Sequence, residues 1–424
     1  MSTTPRPSKA GAARWRPPHE WPRRTIGQLQ AVPPRGHDSS GRMSRHPTCR
    51  SATTRKQRSI MTIRSVRTAV LRIPLARQPA FSNRRMTHRD YALVRIETSD
   101  GVEGIAYCLE GILVAAAIEE LLGPLLIGED PFDTRRLWER LYRASLQVGR
   151  RGAVMRGISL LDIAMWDIKG KTLGLPMHRL LGANALDVPA YASGGYYFDD
   201  GDLDALQAEM RDYVERGFDA VKMKIGRLDA AGDAARVRVA REAIGPGVKL
   251  MVDANNAWDC LPAAMATIRA IEPYDVFWVE EPTLPDAMAL SARIAAASPI
   301  PIATGEIEST LWGFEHLVRY GAAEILQPDV TVVGGVTEFL RVADFTAAQG
   351  LAITPHYFWD LQAPLVAACP NALMAEYFVH DDVVNFDLVL AAPIEAKGGR
   401  LPLNPRPGFG LELDEQAVER FRLR

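Results

Sequence analysis

An α/β barrel of eight parallel strands, with a separate α+β domain before it, is the fold class predicted for this 424-residue chain. Three observations predict it. First, apolar runs recur from Ala220 to Tyr377, and each ends in residues suited to chemistry. In order they are Ala-Val-Lys222-Met-Lys224, Leu-Met-Val-Asp253-Ala-Asn255, Trp-Val-Glu280-Glu281-Pro, Ile-Ala-Thr-Gly-Glu306, Ile-Leu-Gln-Pro-Asp329, Ile-Thr-Pro-His356 and Leu-Met-Ala-Glu376. Second, roughly 20–30 residues of helix-like sequence separate them, as βα units require. Third, three strand patterns followed by a helical cluster precede the alternation, which reads as an α+β domain. A parallel barrel gathers the C-terminal ends of its strands on one face, so these residues should converge on one site.

Composition bounds the reading. Hydrophobic content of 47% and charged content of 24% are those of an ordinary globular protein. The net charge of −1 argues against a general nucleic-acid binder. It hides an asymmetry: the first 60 residues carry about a dozen Lys and Arg against Glu20 and Asp38 alone. Cys49, Cys108, Cys260 and Cys369 lie far apart without CxxC spacing, which fits a reducing cytoplasm and neither a zinc site nor a disulfide framework. No apolar run approaches the roughly 20 residues of a membrane span.

Taken in order, residues 1–60 are rich in Pro, Arg, Ser and Thr and lack periodic apolar positions, so they are expected to be a disordered extension. Their composition also suits an organellar transit peptide, or an upstream extension of a chain that starts at Met61. Residues 61–183 are expected to form the α+β domain. Val66–Ile73 and Asp90–Thr98 alternate like strands, and Asp100-Gly101 supplies a hairpin turn before Gly104–Cys108. Between the first two strands, Arg77–Arg89 is a polar, basic loop. Helices are expected over Ala115–Leu125, Thr134–Ser145 and Ala153–Thr172, the last with a buried face at Ile158, Leu161, Ala164, Met165 and Ile168. Gly174-Leu-Pro176 ends it. The barrel is expected over residues 184–390, with Val188–Ser193 as its first strand and the seven runs above as the rest. Residues 391–424 read as a segment returning to the first domain, with extended stretches at Pro393–Pro402 and Gly408–Glu412 and a short helix at Glu415–Phe421.

The strand ends carry the chemistry. Asp253, Glu280 and Glu306 are spaced 27 and 26 residues apart, one βα unit each. Three carboxylates at successive strand ends repel one another unless a cation neutralises them, and oxygen-only ligands suit Mg²⁺, with Mn²⁺ as the alternative ion. Lys222 and Lys224 flank Met223, so strand periodicity points both amines the same way. Mutual repulsion, burial and a nearby cation are expected to lower their pKa. Asp329 and His356 end adjacent strands, where a carboxylate on one ring nitrogen fixes the tautomer and raises the basicity of the other. Glu376, across the barrel from the lysines, could donate a hydrogen bond to an oxyanion if protonated, or be a strand-end carboxylate paired with a neighbouring base.

This set resembles the enolase superfamily and, within it, the mandelate racemase group. The resemblance runs from Met61 to the C-terminus. It rests on Lys222-x-Lys224, Asp253-Ala-Asn255, Glu280-Glu281-Pro, Gly305-Glu306, Pro328-Asp329 with the Val-Gly-Gly-Val that follows, His356, Glu376, and Leu161-Asp-Ile-Ala-Met-Trp-Asp-Ile-Lys-Gly-Lys171. It implies a modified TIM barrel, (β/α)7β, with a capping domain completed by the C-terminal segment, and a Lys or His base working with Mg²⁺. Asp253, Glu280 and Glu306 would bind the ion. Lys224 and the His356–Asp329 dyad would be the proton carriers on opposite faces, and Glu376 the electrophile. Lys222 would contact the substrate carboxylate and tune Lys224. The expected reaction starts by removing the proton α to a carboxylate and dehydrates an acid sugar, an aldonate or aldarate, to a 2-keto-3-deoxy acid. The alternatives are a racemase, epimerase or cycloisomerase, and a catalytically silent binding homologue. Arg84, Arg85 and His88 in the basic loop, with Asn255, are the expected substrate contacts, unless the loop arginines face solvent. The expected partner is a small carboxylate, bound by a cytoplasmic homo-oligomer that takes neither nucleic acid nor membrane.

Overall fold

The computed structural model describes residues 61–82, 85–183, 185–198, 203–380 and 383–423. The extension expected over residues 1–60 and the substrate contact expected at Arg84 lie outside the described residues.

The chain opens with a three-stranded antiparallel meander: β1 (Ile63–Pro74), β2 (His88–Thr98) and β3 (Glu103–Leu109), in the order β1-β2-β3. The alternating pattern seen in the sequence becomes a sheet with one face against the helix Gly152–Leu173, whose apolar residues from Met155 to Ile168 are buried except for the half-buried Trp166. Close approach here requires glycine: a Cβ on Gly104 would lie 2.1 Å from the Ala164 carbonyl oxygen. The expected single helix over Ala115–Leu125 is broken into an α turn (Gly111–Ala117), a π turn (Ile118–Leu122) and a 3-10 turn (Gly123–Leu125). Pro124, which lacks the N–H that would continue the ladder, sits in the 3-10 turn where the helical stretch ends.

The second sheet curls into the barrel. Its strands are β4 (Asp187–Gly194), β5 (Ala220–Lys224), β6 (Lys249–Asp253), β7 (Val276–Glu280), β8 (Ile302–Thr304), β9 (Ile325–Leu326), β10 (Ala352–Ile353) and β11 (Ala375–Tyr377). They pair in parallel along the path β10-β9-β8-β7-β6-β5-β4-β11, and a parallel bridge between Ile353 and Ala372 closes the ring. Tyr191, Ala220, Met251, Trp278, Ala303, Ile325 and Met374 fill its interior as one buried cluster. The result is a (β/α)7β barrel with an antiparallel capping sheet.

The C-terminal segment touches the barrel before the capping sheet. β12 (Arg400–Pro402) pairs antiparallel with the start of β4, Leu401 opposite Val188. Phe409 N–H then donates to Asp167 of the long helix (2.8 Å), and Leu423 N–H to the Val70 carbonyl of β1 (2.8 Å). Buried polar contacts join cap to barrel as well: Tyr107 O–H to Asp360 (2.7 Å), Trp138 Nε1–H to the Gly334 carbonyl (2.8 Å), and the Thr337 hydroxyl to Asp162 (2.6 Å).

Candidate active site

Strand register brings the chemistry to one level. Lys224 of β5 sits opposite Asp253 of β6, which sits opposite Glu280 of β7. Lys222, two residues earlier, shares the inward side with Lys224 because side chains alternate along a strand. Asp253, Glu280 and Glu306 each offer a carboxylate oxygen, and these oxygens lie within 4.8 Å of one another. Five of the eight described non-glycine residues with positive φ follow strand ends here: Asn255, Asn256, Glu281, Tyr357 and Phe358. The backbone is held in uncommon conformations where the site is built.

Each carboxylate is fixed by neighbours. Asp253 is ion-paired with Lys224 and accepts from Asn255 N–H (2.8 Å) and Asn255 Nδ2 (3.2 Å). Glu280 accepts from Lys222 (2.6 Å), Trp278 Nε1 (3.1 Å) and Gln327 Nε2 (2.7 Å). Lys222, 1% exposed, also reaches Glu376 (2.9 Å), and Glu376 accepts from Tyr357 N–H (2.9 Å). On the far side His356 Nδ1 meets Asp329 (2.9 Å), whose other oxygen accepts from the Thr331 N–H (2.7 Å) and hydroxyl (2.8 Å). An ionised Asp329 is an acceptor only, so Nδ1 carries the hydrogen. Nε2 then points its chemistry at Glu306, 3.3 Å away.

The electrostatics differ from the expected lowered lysine pKa values. Burial does push both amines down, but for Lys222 the carboxylates of Glu280 and Glu376, and for Lys224 that of Asp253, push harder, and both end raised. The expected repulsion between the lysines is the weaker effect, because each is paired with an anion. Glu376 is likewise held ionised. Burial favours its neutral form, yet Lys222, His356 and Lys224 together bring it down to about 2. Burial, crowding by Glu281 and the other carboxylates raise Glu306 well above the carboxylate range, with His356 opposing. Burial also lowers His356, but Glu306 and Asp329 outweigh it and leave the imidazole raised.

Six carboxylates (Asp253, Glu280, Glu281, Glu306, Asp329 and Glu376) therefore share this space with two ammonium groups and one imidazole. The excess negative charge and a ligand set of oxygens alone fit a hard divalent cation. The Asn255 Oδ1 and Ser193 hydroxyl are buried beside this cluster without hydrogen-bond partners.

Of the residues expected from sequence, Lys222, Lys224, Asp253, Asn255, Glu280, Glu306, Asp329, His356 and Glu376 come together. Arg85 is exposed, and His88 is 40% exposed at its side chain, beside Thr87 and Asp90. The structure does not bring them into the cluster. The pleat of β2 turns the next residue inward instead: Arg89 is buried and its Nη2 donates to the Tyr357 hydroxyl (2.6 Å). Sequence reasoning also missed Ser193 and Tyr196. A signal existed, since Ser193 is the last residue but one of β4, in register with Lys222. The basic loop is pinned to the barrel by Ala80 N–H to the Tyr197 carbonyl (2.9 Å) and its reciprocal (3.2 Å), and by the Ser82 hydroxyl to the Asn255 carbonyl (3.0 Å).

Comparison with known proteins agrees with this geometry. Residues 63–182 match the mandelate racemase/muconate lactonizing enzyme N-terminal domain, and residues 205–417 match the enolase C-terminal domain-like family. An arabinonate dehydratase of Saccharolobus solfataricus is 36% identical over 336 residues, covering 77% of this chain and 89% of that one. A racemase from Streptomyces coelicolor, solved with bound magnesium, superposes with a TM-score of 0.80 at 34% identity, over 85% of this chain and 100% of that one. An L-talarate dehydratase from Polaromonas, solved with Mg and L-glucarate, gives a TM-score of 0.79 at 33% identity, over 86% and 98%. With two domains matched in order and relatives aligned along nearly their whole length, the chain belongs to the mandelate racemase/muconate lactonizing enzyme family of the enolase superfamily.

Proposed function

We propose that this protein is a Mg²⁺-dependent enzyme that removes the proton α to the carboxylate of an acid sugar and expels the β-hydroxyl, giving a 2-keto-3-deoxy acid. The observation that carries this reading is the placement of two proton carriers at opposite ends of one carboxylate row, Lys224 on Asp253 and His356 on Glu306. The names of the arabinonate and L-talarate dehydratases support the reaction class, and the two magnesium-containing structures support the ion.

Asp253, Glu280 and Glu306 would hold Mg²⁺, which supplies positive charge to the substrate carboxylate as negative charge develops there. Asp253 cannot serve two cations equally: engaged as a metal ligand, it no longer holds the proton on Lys224, which frees the amine to act as base. Lys224 takes the α proton, and the C–H electron pair moves into the enediolate. Lys222, a buried ammonium, donates to the oxygen that gains charge. Glu376, being ionised, anchors Lys222 rather than donating a proton itself. His356, with Nδ1–H bound to Asp329, presents a protonated Nε2 to the departing hydroxyl. The C–O bond breaks, its electron pair leaves with oxygen, and the Nε2 proton makes it water. The resulting enol tautomerises to the 2-keto acid. The Nδ1–H bond to Asp329 and an Nε2 turned toward the carboxylate row support an acid role for His356.

The same reading takes a small carboxylate as partner and places a homo-oligomer in the cytoplasm. No described helix is long and apolar enough to cross a membrane, and Cys108, Cys260 and Cys369 are free thiols. The test is a panel of aldonates and aldarates assayed for 2-keto product with Mg²⁺ or with Mn²⁺. Product from at least one sugar that disappears on chelation is the expected result; epimerised sugar without 2-keto product would favour the racemase reading.

A further inference from the structure

We infer that Arg89, with the hydroxyls of Tyr196 and Tyr357, binds a second carboxylate of the substrate, so that the acid sugar is a diacid (an aldarate) and not a monoacid. This rests on the acid-sugar reading of the site and narrows it. Arg89 is the second residue of β2 and is only 9% exposed. Its Nε donates to the Val383 carbonyl (2.7 Å) and its Nη2 to the Tyr357 hydroxyl (2.6 Å). Both acceptors are neutral, and among the described residues no carboxylate lies within 4.0 Å of this guanidinium. A buried cation without a counter-ion is costly, and native proteins rarely leave one unpaired. Two of its five N–H groups are engaged, so a fork of donors remains.

The surroundings place that fork at the site. Tyr357 follows His356, their rings 4.2 Å apart, and its own N–H holds Glu376. Tyr196 lies just beyond β4, 5% exposed, with a hydroxyl that has no hydrogen-bond partner. Lys224 Nζ sits 5.0 Å from the Tyr196 ring centre and 5.5 Å from that of Phe81, and the two rings meet edge-on at 5.3 Å. Burial holds the Tyr196 hydroxyl neutral; the charges of Lys224 and Arg89 act against that, and Tyr357 and Glu376 act with it. A sugar hydroxyl would satisfy these donors but leave the guanidinium with no carboxylate in direct contact among the described residues. A carboxylate does both, and its geometry matches a guanidinium fork.

The test uses the full chain with His356→Asn, which holds substrate without turning it over, saturated with Mg²⁺ and titrated in a calorimeter. The ligands are an aldarate and the aldonate that matches it at every stereocentre. The diacid should bind about 10- to 100-fold tighter, the range of a charge-assisted hydrogen bond. Adding Arg89→Gln should erase that gap, whereas Arg89→Lys, which loses the fork but keeps the charge, should keep part of it. Tyr196→Phe should weaken diacid binding by roughly 3- to 10-fold. Equal affinity for the two acids, no binding of the diacid, or equal losses from Lys and Gln at position 89 overturns the assignment, the last because it would make Arg89 a strap between β2 and the barrel. Exchange of the α proton by the wild type with the same sugars judges the reaction reading separately: a diacid that binds through Arg89 without exchanging leaves the subsite standing and the dehydratase reading refuted.

Discussion

Lys222 gives the sharpest structural prediction. Its amine bridges Glu280 (2.6 Å) and Glu376 (2.9 Å), and all three side chains are at most 1% exposed. Lys222→Met keeps the length and bulk of the stem and removes the charge, leaving two buried carboxylates without their shared cation. Removing one partner of a buried pair costs about 3–5 kcal/mol, because the remaining charge stays desolvated. For a unit of this size, with an unfolding entropy of about 2.1 cal/mol/K per residue, that lowers Tm by roughly 4–7 °C. The assay is calorimetric unfolding in chelator and again in saturating Mg²⁺. The loss should be largest in chelator and smaller with the ion, which takes over the charge of Glu280. Adding Glu376→Gln to Lys222→Met should recover part of the stability, since it removes one of the stranded anions. An unchanged Tm in chelator, or a double variant less stable than the single one, would refute the reasoning.

Three further outcomes follow from the same contacts. Asp329→Asn loses the charge-assisted bond to His356, worth about 1.5–3 kcal/mol, so turnover should fall by roughly 10- to 100-fold, with KM nearly unchanged, in steady-state kinetics. Lys224→Ala should abolish α-proton exchange, whereas His356→Asn should retain exchange and lose product; nuclear magnetic resonance in D₂O separates the two. Burial raises Asp162 to about 7, with its bonds to Thr337 opposing. Its folded pKa lies above the unfolded value, so the folded state binds the extra proton: the contribution to stability is full below about pH 4 and is lost as pH rises through 7. Asp162→Asn should therefore gain about 2–3 kcal/mol relative to wild type between pH 5 and pH 8 in urea unfolding.

Much of this site was legible in the sequence because a parallel barrel converts spacing into proximity. Asp253, Glu280 and Glu306 needed only to end successive strands. What stayed hidden depended on tertiary contact. Whether His88 or Arg89 faces the barrel is a one-residue question of parity, decided by the pairing of β2 with β1 and β3, and a polar loop carries no periodicity that resolves it. The protonation of Lys222 and Lys224 depends on which carboxylates reach them, and the nearest of those partners in sequence is already 29 residues away. The pairing of β12 with β4 was invisible because Arg-Leu-Pro is too short to show a pattern.

The most direct test of the central claim is to incubate the wild-type protein with acid sugars in D₂O and follow the α proton, with Mg²⁺ and with chelator. Exchange or loss of that proton in at least one sugar, dependent on the ion and absent from an Asp253→Asn variant, is the predicted result. Turnover of an acid sugar that proceeds unchanged in chelator, or in the Asp253→Asn variant, would contradict it.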